Sequence, residues 1–286
     1  MRRCHAVLAA SLLLPGGAVA GSFSATVASL VDASGSYGAD VDVLFRPNQH
    51  VSMSAGAGHT TSSADFADLH GRALRAALDL HNDRLGARVG IRSWSDSSDY
   101  QTRTAAAEIY FRAGAFEFGL RGEDQHSDVA FSLTLANTLI ERRLAVDGTG
   151  IGANITYIGG NWAAIASYTS YDFGRTVDRL QQALSAPQVD SRPRLAALIG
   201  SLLTDLSATV DRRYSLTLDR SFIRSGLRFD IGGVEDALDG SQAQSASVSW
   251  RYAMTPRWEV ELTGGMSDGD NLDGVGFAGV ALTLRN

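Results

Sequence analysis

Along most of the chain, apolar and polar side chains alternate one for one. Val51, Met53, Ala55 and Ala57 alternate with Ser52, Ser54, Gly56 and Gly58, and Leu74, Ala76, Leu78 and Leu80 with Arg75, Ala77, Asp79 and His81. Ala87, Val89 and Ile91 are offset from Arg88, Gly90 and Arg92, and Phe116, Phe118 and Leu120 from Glu117, Gly119 and Arg121. Near the end, Ala246, Val248, Trp250 and Tyr252 alternate with Ser247, Ser249 and Arg251, and Trp258, Val260 and Leu262 with Glu259, Glu261 and Thr263. A period of two puts successive side chains on opposite faces of an extended strand, so each segment has one apolar and one polar face.

The connections come in two lengths. Pro47-Asn48, His81-Asn82-Asp83, Ala113-Gly114, Gly159-Gly160-Asn161, Asp219-Arg220-Ser221 and Ala253-Met254-Thr255-Pro256 are brief and rich in turn formers. Thr60 to Asp68, Ser95 to Gln101, Val234 to Gln242 and Ser267 to Gly274 are longer, polar and often acidic. The two kinds mostly alternate. The alternation is unbroken if a further turn falls near Asn137 and a further long-side loop at Asp147-Gly148. Segmentation then predicts about 16 strands: 22–31, 39–46, 50–58, 71–80, 85–94, 102–112, 115–123, 128–136, 138–146, 150–158, 162–173, 212–219, 222–231, 243–252, 257–266 and 275–285. Segments 22–31 and 138–146 carry the weakest pattern, which leaves 12 or 14 strands as alternatives. An even count brings both chain ends to the short-turn side.

One stretch breaks the rule. Thr176 to Ser185 and Pro193 to Val210 read as helices, and in the second Leu195, Leu198, Ile199, Leu202, Leu203, Leu206 and Val210 recur at helical spacing. Pro193 suits a first helical turn. The pattern predicts a helical insertion over 174–212 on the long-loop side. Its apolar stripe must be covered by the partner helix across Ala186-Pro187, by the mouth of an interior, by lipid headgroups or by a partner.

Residues 1–20 follow the secretory layout. Met1-Arg2-Arg3 is a positive head, Ala6 to Leu14 an apolar stretch too short to span a bilayer as a helix, and Ala18-Val19-Ala20 a small-residue cleavage site before Gly21. Cys4, the one cysteine, falls inside this segment, so the remainder carries no disulfide. Removing Arg2 and Arg3 leaves 23 basic against 31 acidic residues, a net charge of −8. Such acidity argues against nucleic acid as a partner. Lysine is absent, so every fixed positive side chain is arginine.

Phe111, Tyr157, Trp162, Trp250, Tyr252 and Trp258 all lie beside proposed short turns. Together with the export signal, the dyad alternation and the turn-and-loop rhythm, they make residues 21–286 resemble the Gram-negative porin-like outer-membrane proteins. The Gly159-Gly160-Asn161-Trp162 turn and the segment Ala163 to Tyr171 are similar to the tight turns and rising strands of that group. The resemblance implies an all-β fold, a transmembrane antiparallel β-barrel with the helical insertion in one long loop. It also implies placement in the cell outer membrane among its lipid and lipopolysaccharide, folding by the barrel assembly machinery, small hydrophilic solutes as cargo and no cofactor; homo-oligomerisation stays open. The chain departs from the group at its last strand, Phe277 to Asn286. There Val280, Leu282 and Leu284 keep the alternation, but Asn286 stands where an aromatic residue is common.

If the apolar faces meet lipid, their partners face an interior. This makes Arg75, Arg88, Arg92, Glu117, Arg121, Arg228, Arg251, Glu259 and Glu261 candidate pore-lining residues, alongside Asp79, Glu108 and Asp230. Such charges read two ways. Rings of them set ion selectivity, whereas pairs such as Arg121 with Glu117, or Arg228 with Asp230, tie neighbouring strands together. Catalytic and metal signals are sparse. His50, His59, His70, His81 and His126 form no close pair on one face, and no Gly-x-Ser-x-Gly elbow occurs. His50-Val51-Ser52 has a His-x-Ser spacing but no orienting third group. Asp268, Asp270 and Asp273 lack an EF-hand pattern and read as hydration of an outer loop.

The leading expectation is a channel for passive diffusion of small hydrophilic or ionic solutes, since a barrel of about 16 strands encloses water. The second is a non-conducting barrel with a structural or partner-binding role, its lumen plugged by the 176–210 helices. A membrane-embedded lipid hydrolase and a soluble periplasmic β-protein, with its apolar faces turned into one core, are the remaining classes.

Overall fold

The computed structural model describes residues 21–64, 67–96, 101–135, 138–173, 210–237, 240–270 and 272–286. The proposed signal segment 1–20, the predicted helix at 176–185 and all but the last residue of the predicted helix at 193–210 lie outside these. Fourteen strands are formed. The first seven are β1 (Ser22–Asp32), β2 (Tyr37–Asn48), β3 (Val51–Ala64), β4 (Ala67–His81), β5 (Leu85–Asp96), β6 (Gln101–Ala113) and β7 (Phe116–Leu135). They are followed by β8 (Thr138–Gly159), β9 (Trp162–Asp172), β10 (Val210–Ser221), β11 (Ser225–Asp236), β12 (Gln242–Ala253), β13 (Trp258–Gly269) and β14 (Leu272–Arg285). Each pairs antiparallel with its chain neighbours, and β1 pairs with β14, so the sheet closes into a barrel.

The count is 14 rather than about 16 because two pairs of expected strands are fused. Segments 115–123 and 128–136 form one 20-residue strand, β7, and 138–146 with 150–158 form the 22-residue β8. Their pairing runs unbroken from Phe116↔Tyr157 to Leu135↔Thr138. Asp147-Gly148, expected as a loop, is therefore mid-strand, opposite His126 and Gln125. The reason is physical. Outside lipid a strand pair can be wet on both faces, so polar residues and glycines there do not mark a break. Two further boundaries move. Residues 210–212, assigned to the helical insertion, are the first residues of β10, and Asp219-Arg220-Ser221 ends that strand, with the turn following at 222–224.

The ends of the barrel differ as the rhythm predicts. Six tight turns, at 49–50, 82–84, 114–115, 160–161, 222–224 and 254–257, share one end with Gly21 and Asn286. Gly114 (φ 61°) and Gly160 (φ 58°) open two of them in the left-handed region, where a two-residue hairpin needs positive φ and only glycine enters without strain. In outer-membrane barrels the short turns are periplasmic and the longer connections face outward.

The apolar faces point away from the barrel axis. Leu74, Ile91, Ile109, Leu120 and Ile151 are each more than 60% exposed, a state that water would penalise and lipid accepts. That finding removes the soluble reading, in which these side chains would form the interior. The expected aromatics face outward at the short-turn end: Phe111, Tyr157, Trp162, Trp250 and Trp258 are exposed. Trp250 stacks on Tyr252 with centroids 5.6 Å apart, and Phe116 meets Tyr157 at 5.2 Å. The Arg220 guanidinium lies 4.9 Å from the Trp162 ring and 5.1 Å from Phe222. This is an interfacial girdle, where rings with polar edges and snorkelling cations are best solvated.

Candidate functional site: the charged inner wall

Cross-strand register fixes which side chains share the inner face. All nine candidate residues lie on it: Arg75 on β4, Arg88 and Arg92 on β5, Glu117 and Arg121 on β7, Arg228 on β11, Arg251 on β12, and Glu259 and Glu261 on β13. They do not form one ring. Arg75, Arg88, Arg92 and Arg121 converge with Asp42 and Glu108 around a cavity of about 320 Å³ inside the wall. Arg228, Arg251, Glu259 and Glu261 belong to the other side of the barrel, and Glu117 sits near the short-turn end.

Most of these charges are paired, commonly across an intervening strand. Arg75 Nη2 on β4 donates to Asp40 Oδ1 on β2 at 3.0 Å, and Arg75 Nε to Asp42 Oδ1 at 2.8 Å. The span over β3 is open because Gly56 lies beneath it, where a Cβ would collide with Asp42 and Arg75. Arg88 Nη2 donates to Asp79 at 3.0 Å and Nη1 to Glu108 at 3.3 Å. Tyr110 on β6 crosses β5 above Gly86 and donates to Asp79 Oδ1 at 2.7 Å. Arg251 on β12 reaches Asp219 on β10 past Gly226.

Glu123 is the most enclosed of these carboxylates. Its side chain is 2% exposed, and it accepts from Tyr171 Oη at 2.7 Å and Arg213 Nη2 at 3.1 Å while lying 2.7 Å from Arg121 Nε. The expected Arg121–Glu117 pair is replaced by this contact, and Glu117 accepts from Arg112 Nε at 2.8 Å instead. The reason is the strand's period. Residues 119 and 121 lie between 117 and 123 on the same face, so Arg121 has an acidic neighbour two residues away in Glu123 but only four residues away in Glu117. Arg228 pairs with Asp230 at 2.8 Å, and Arg285 with Glu259 at 2.9 Å.

Sequence reasoning passed over Asp40, Asp42, Glu123, Arg213 and Asp219. The alternation of Ala39, Val41 and Val43 with Asp40 and Asp42 carried the signal for the first two. Glu123 and Arg213 sat at expected strand ends, beside a loop and the helical insertion.

Among the remaining candidates, the histidines come together in two pairs that the sequence did not suggest: His59 stacks on His70 with centroids 6.1 Å apart, and His50 meets His81. His50 stands in the β2–β3 turn with its ring 6.4 Å from His81 and its Nε2 beside Gln49. Asp270 accepts from the Gln242 backbone N–H at 2.9 Å, tying β12 to β13. Among the described residues no group of three His, Cys, Asp or Glu side chains is placed to hold a metal.

Solved structures share this architecture. The barrel matches the outer-membrane expressed OmpT of Vibrio cholerae over 93% of this chain and 96% of that one, at 10% identity and a TM-score of 0.51. It matches CymD, a monoaromatic hydrocarbon channel, over 93% and 87%, at 7% identity and a TM-score of 0.53. The trimer form of in-vitro folded Vibrio cholerae OmpT aligns over 93% and 98%, at 10% identity and a TM-score of 0.50. No protein-family model matches the sequence, nor does any curated protein. At such identities the likeness concerns fold. Joined to the lipid-facing belt and the aromatic girdle, it defines the class: a closed antiparallel β-barrel of the outer membrane.

Proposed function

We propose that the barrel is a porin-like channel for passive diffusion of small hydrophilic or ionic solutes. The observation that carries this reading is the inner wall. Arginines and carboxylates hold one another in place around an open cavity of about 320 Å³, where a barrel built only for stability could be filled with apolar side chains. Ion pairing fixes the guanidiniums without neutralising the wall's hydrogen-bonding capacity, so water and solutes in the cavity meet the charged groups of Arg75, Arg88, Arg92, Arg121, Asp42 and Glu108 between small alanines and a glycine. The net charge of −8 over residues 21–286, 23 basic against 31 acidic, argues for a modest preference for cations that fades at high salt.

Single-channel recording of the protein in a planar bilayer tests the proposal. Discrete, salt-dependent steps with a reversal potential of cationic sign are expected. Protein that inserts and shows heat-modifiable migration but gives no steps would overturn the channel and favour the non-conducting barrel. In that event, recording after deletion of residues 176–210 would show whether this segment blocks the lumen.

A further inference from the structure

On the long-loop side of the apolar belt, the outward-facing side chains segregate by charge. The belt ends at Ala57 on β3, Leu74 on β4, Ile91 on β5 and Ala105 on β6, as the strand register places them. The next outward positions are His59, Arg72 and His70, Ser93 and Ser95, and Arg103. Between the belt and His70, no carboxylate whose side chain is described faces outward on β1 to β6. Beyond β6 the acids gather instead: Asp124, Asp147, Glu235 and Asp268 face outward at the corresponding height.

The basic arc is contiguous. Arg72 lies directly opposite His59 on one side and Ser95 on the other, and Arg103 lies opposite Ser93. Only β5, with its two serine hydroxyls, separates the two arginines, a span of about 10–12 Å at ordinary strand spacing. The His59 and His70 rings stack with centroids 6.1 Å apart, and Tyr37 stands edge-on to His59 at 6.4 Å. Neither Arg72 nor Arg103 meets a carboxylate among the described residues; Arg103 reaches only the Gln101 side-chain amide, 3.5 Å away. Arg75, Arg88, Arg112, Arg121, Arg228 and Arg251 of the inner wall each have one.

We propose that this arc binds the phosphate groups of a phosphorylated glycolipid in the outer leaflet. Two exposed guanidiniums that touch no carboxylate among the described residues, at headgroup depth and facing the membrane, can take an anion from outside the chain; Arg103 marks the edge of the arc, opposite His126 on β7. Phosphate matches the planar guanidinium fork in two-point hydrogen bonds, and the hydroxyls and imidazoles supply further donors. The site rests on the outer-membrane placement of the barrel and is independent of whether the lumen conducts.

The test uses the full barrel in mild detergent and two probes, phosphorylated lipid A and the same lipid stripped of its phosphates. The phosphorylated form should bind and raise the temperature of the heat-modifiable transition. Dephosphorylated lipid, or the Arg72→Gln/Arg103→Gln double variant, should bind about thirtyfold more weakly. Arg212→Gln, which alters the acidic side of the barrel, should bind as the parent does. Equal binding of both lipids, or parental affinity in the double variant, overturns the proposal. So does a double variant that keeps lipid affinity and loses cross-linked oligomers, because the arc would then face a second copy. Heat-modifiable migration reports whether the double variant folds; if it does not, the single variants and the lipid comparison decide. A silent wild-type channel would leave the lipid result standing.

Discussion

Gly56 and Gly86 show how a single missing side chain organises the inner wall. Each lies beneath a strut that crosses its strand, Arg75 to Asp40 and Asp42 in one case and Tyr110 to Asp79 in the other. Gly56→Val should lift Arg75 away from its carboxylates at a cost of about 1–3 kcal/mol. Urea unfolding in lipid vesicles would read this as a lower midpoint, and an unchanged midpoint would show that the strut contributes nothing. Arg75→Gln should leave Asp40 and Asp42 uncompensated beside the cavity, moving the reversal potential toward stronger cation preference if the lumen conducts. Dyad alternation made the inward direction of Arg75, Arg88 and Arg251 legible in the sequence. Their partners were not, because the contacts join residues from 9 positions apart, as in Arg88 and Asp79, to 33, as in Arg75 and Asp42, and a periodic pattern says nothing about register between strands.

The β7–β8 hairpin carries the chain beyond the membrane. Among the side chains described, Leu120 and Ile151 are the last large apolar ones on its lipid face; Asp124, His126, Asp128 and Asp147 follow, outside the belt. His126 Nδ1 lies within hydrogen-bonding distance of Asp147, and this contact holds the imidazole above its ordinary range. A raised folded value means that the pair's stabilisation is complete below the ordinary histidine pKa of about 6.5 and is lost as pH rises through the raised one. Titration of the His126 ring by NMR should show that value falling in Asp147→Asn; an unchanged titration would remove the ion pair as its cause. The projecting part should also be separable from the barrel. Replacing residues 129–144 by an Asn-Gly turn should leave heat-modifiable migration intact, and its loss would mean the hairpin is needed for closure. This element was the least legible in the sequence. Lipid contact imposes strict alternation, and outside lipid that constraint lapses, so Glu123 to Asp128 looked like a loop while remaining paired.

At the scale of the whole molecule, the even count and the shared end of the first and last described residues survived the loss of two expected strands, since fusing two pairs removes one hairpin and preserves parity. The closing seam pairs Ser24 with Arg285 and runs to Asp32 with Phe277. Asn286, where an aromatic residue is common, reaches across that seam: its backbone N–H donates to Phe23 O at 3.2 Å, and its side-chain oxygen accepts from the Phe23 backbone N–H. The seam is thus one more antiparallel contact, with Phe23 and Asn286 side by side where any other neighbouring strands would be joined by a turn. A ring of equivalent contacts has no privileged starting point. Joining Asn286 to Gly21 through a short linker and opening the chain between Gly160 and Asn161 should therefore give a circular permutant that reaches the same barrel, measured by heat-modifiable migration and by protection from protease. If it did not, the order in which the strands emerge, and not only their neighbours, would be part of what the sequence encodes.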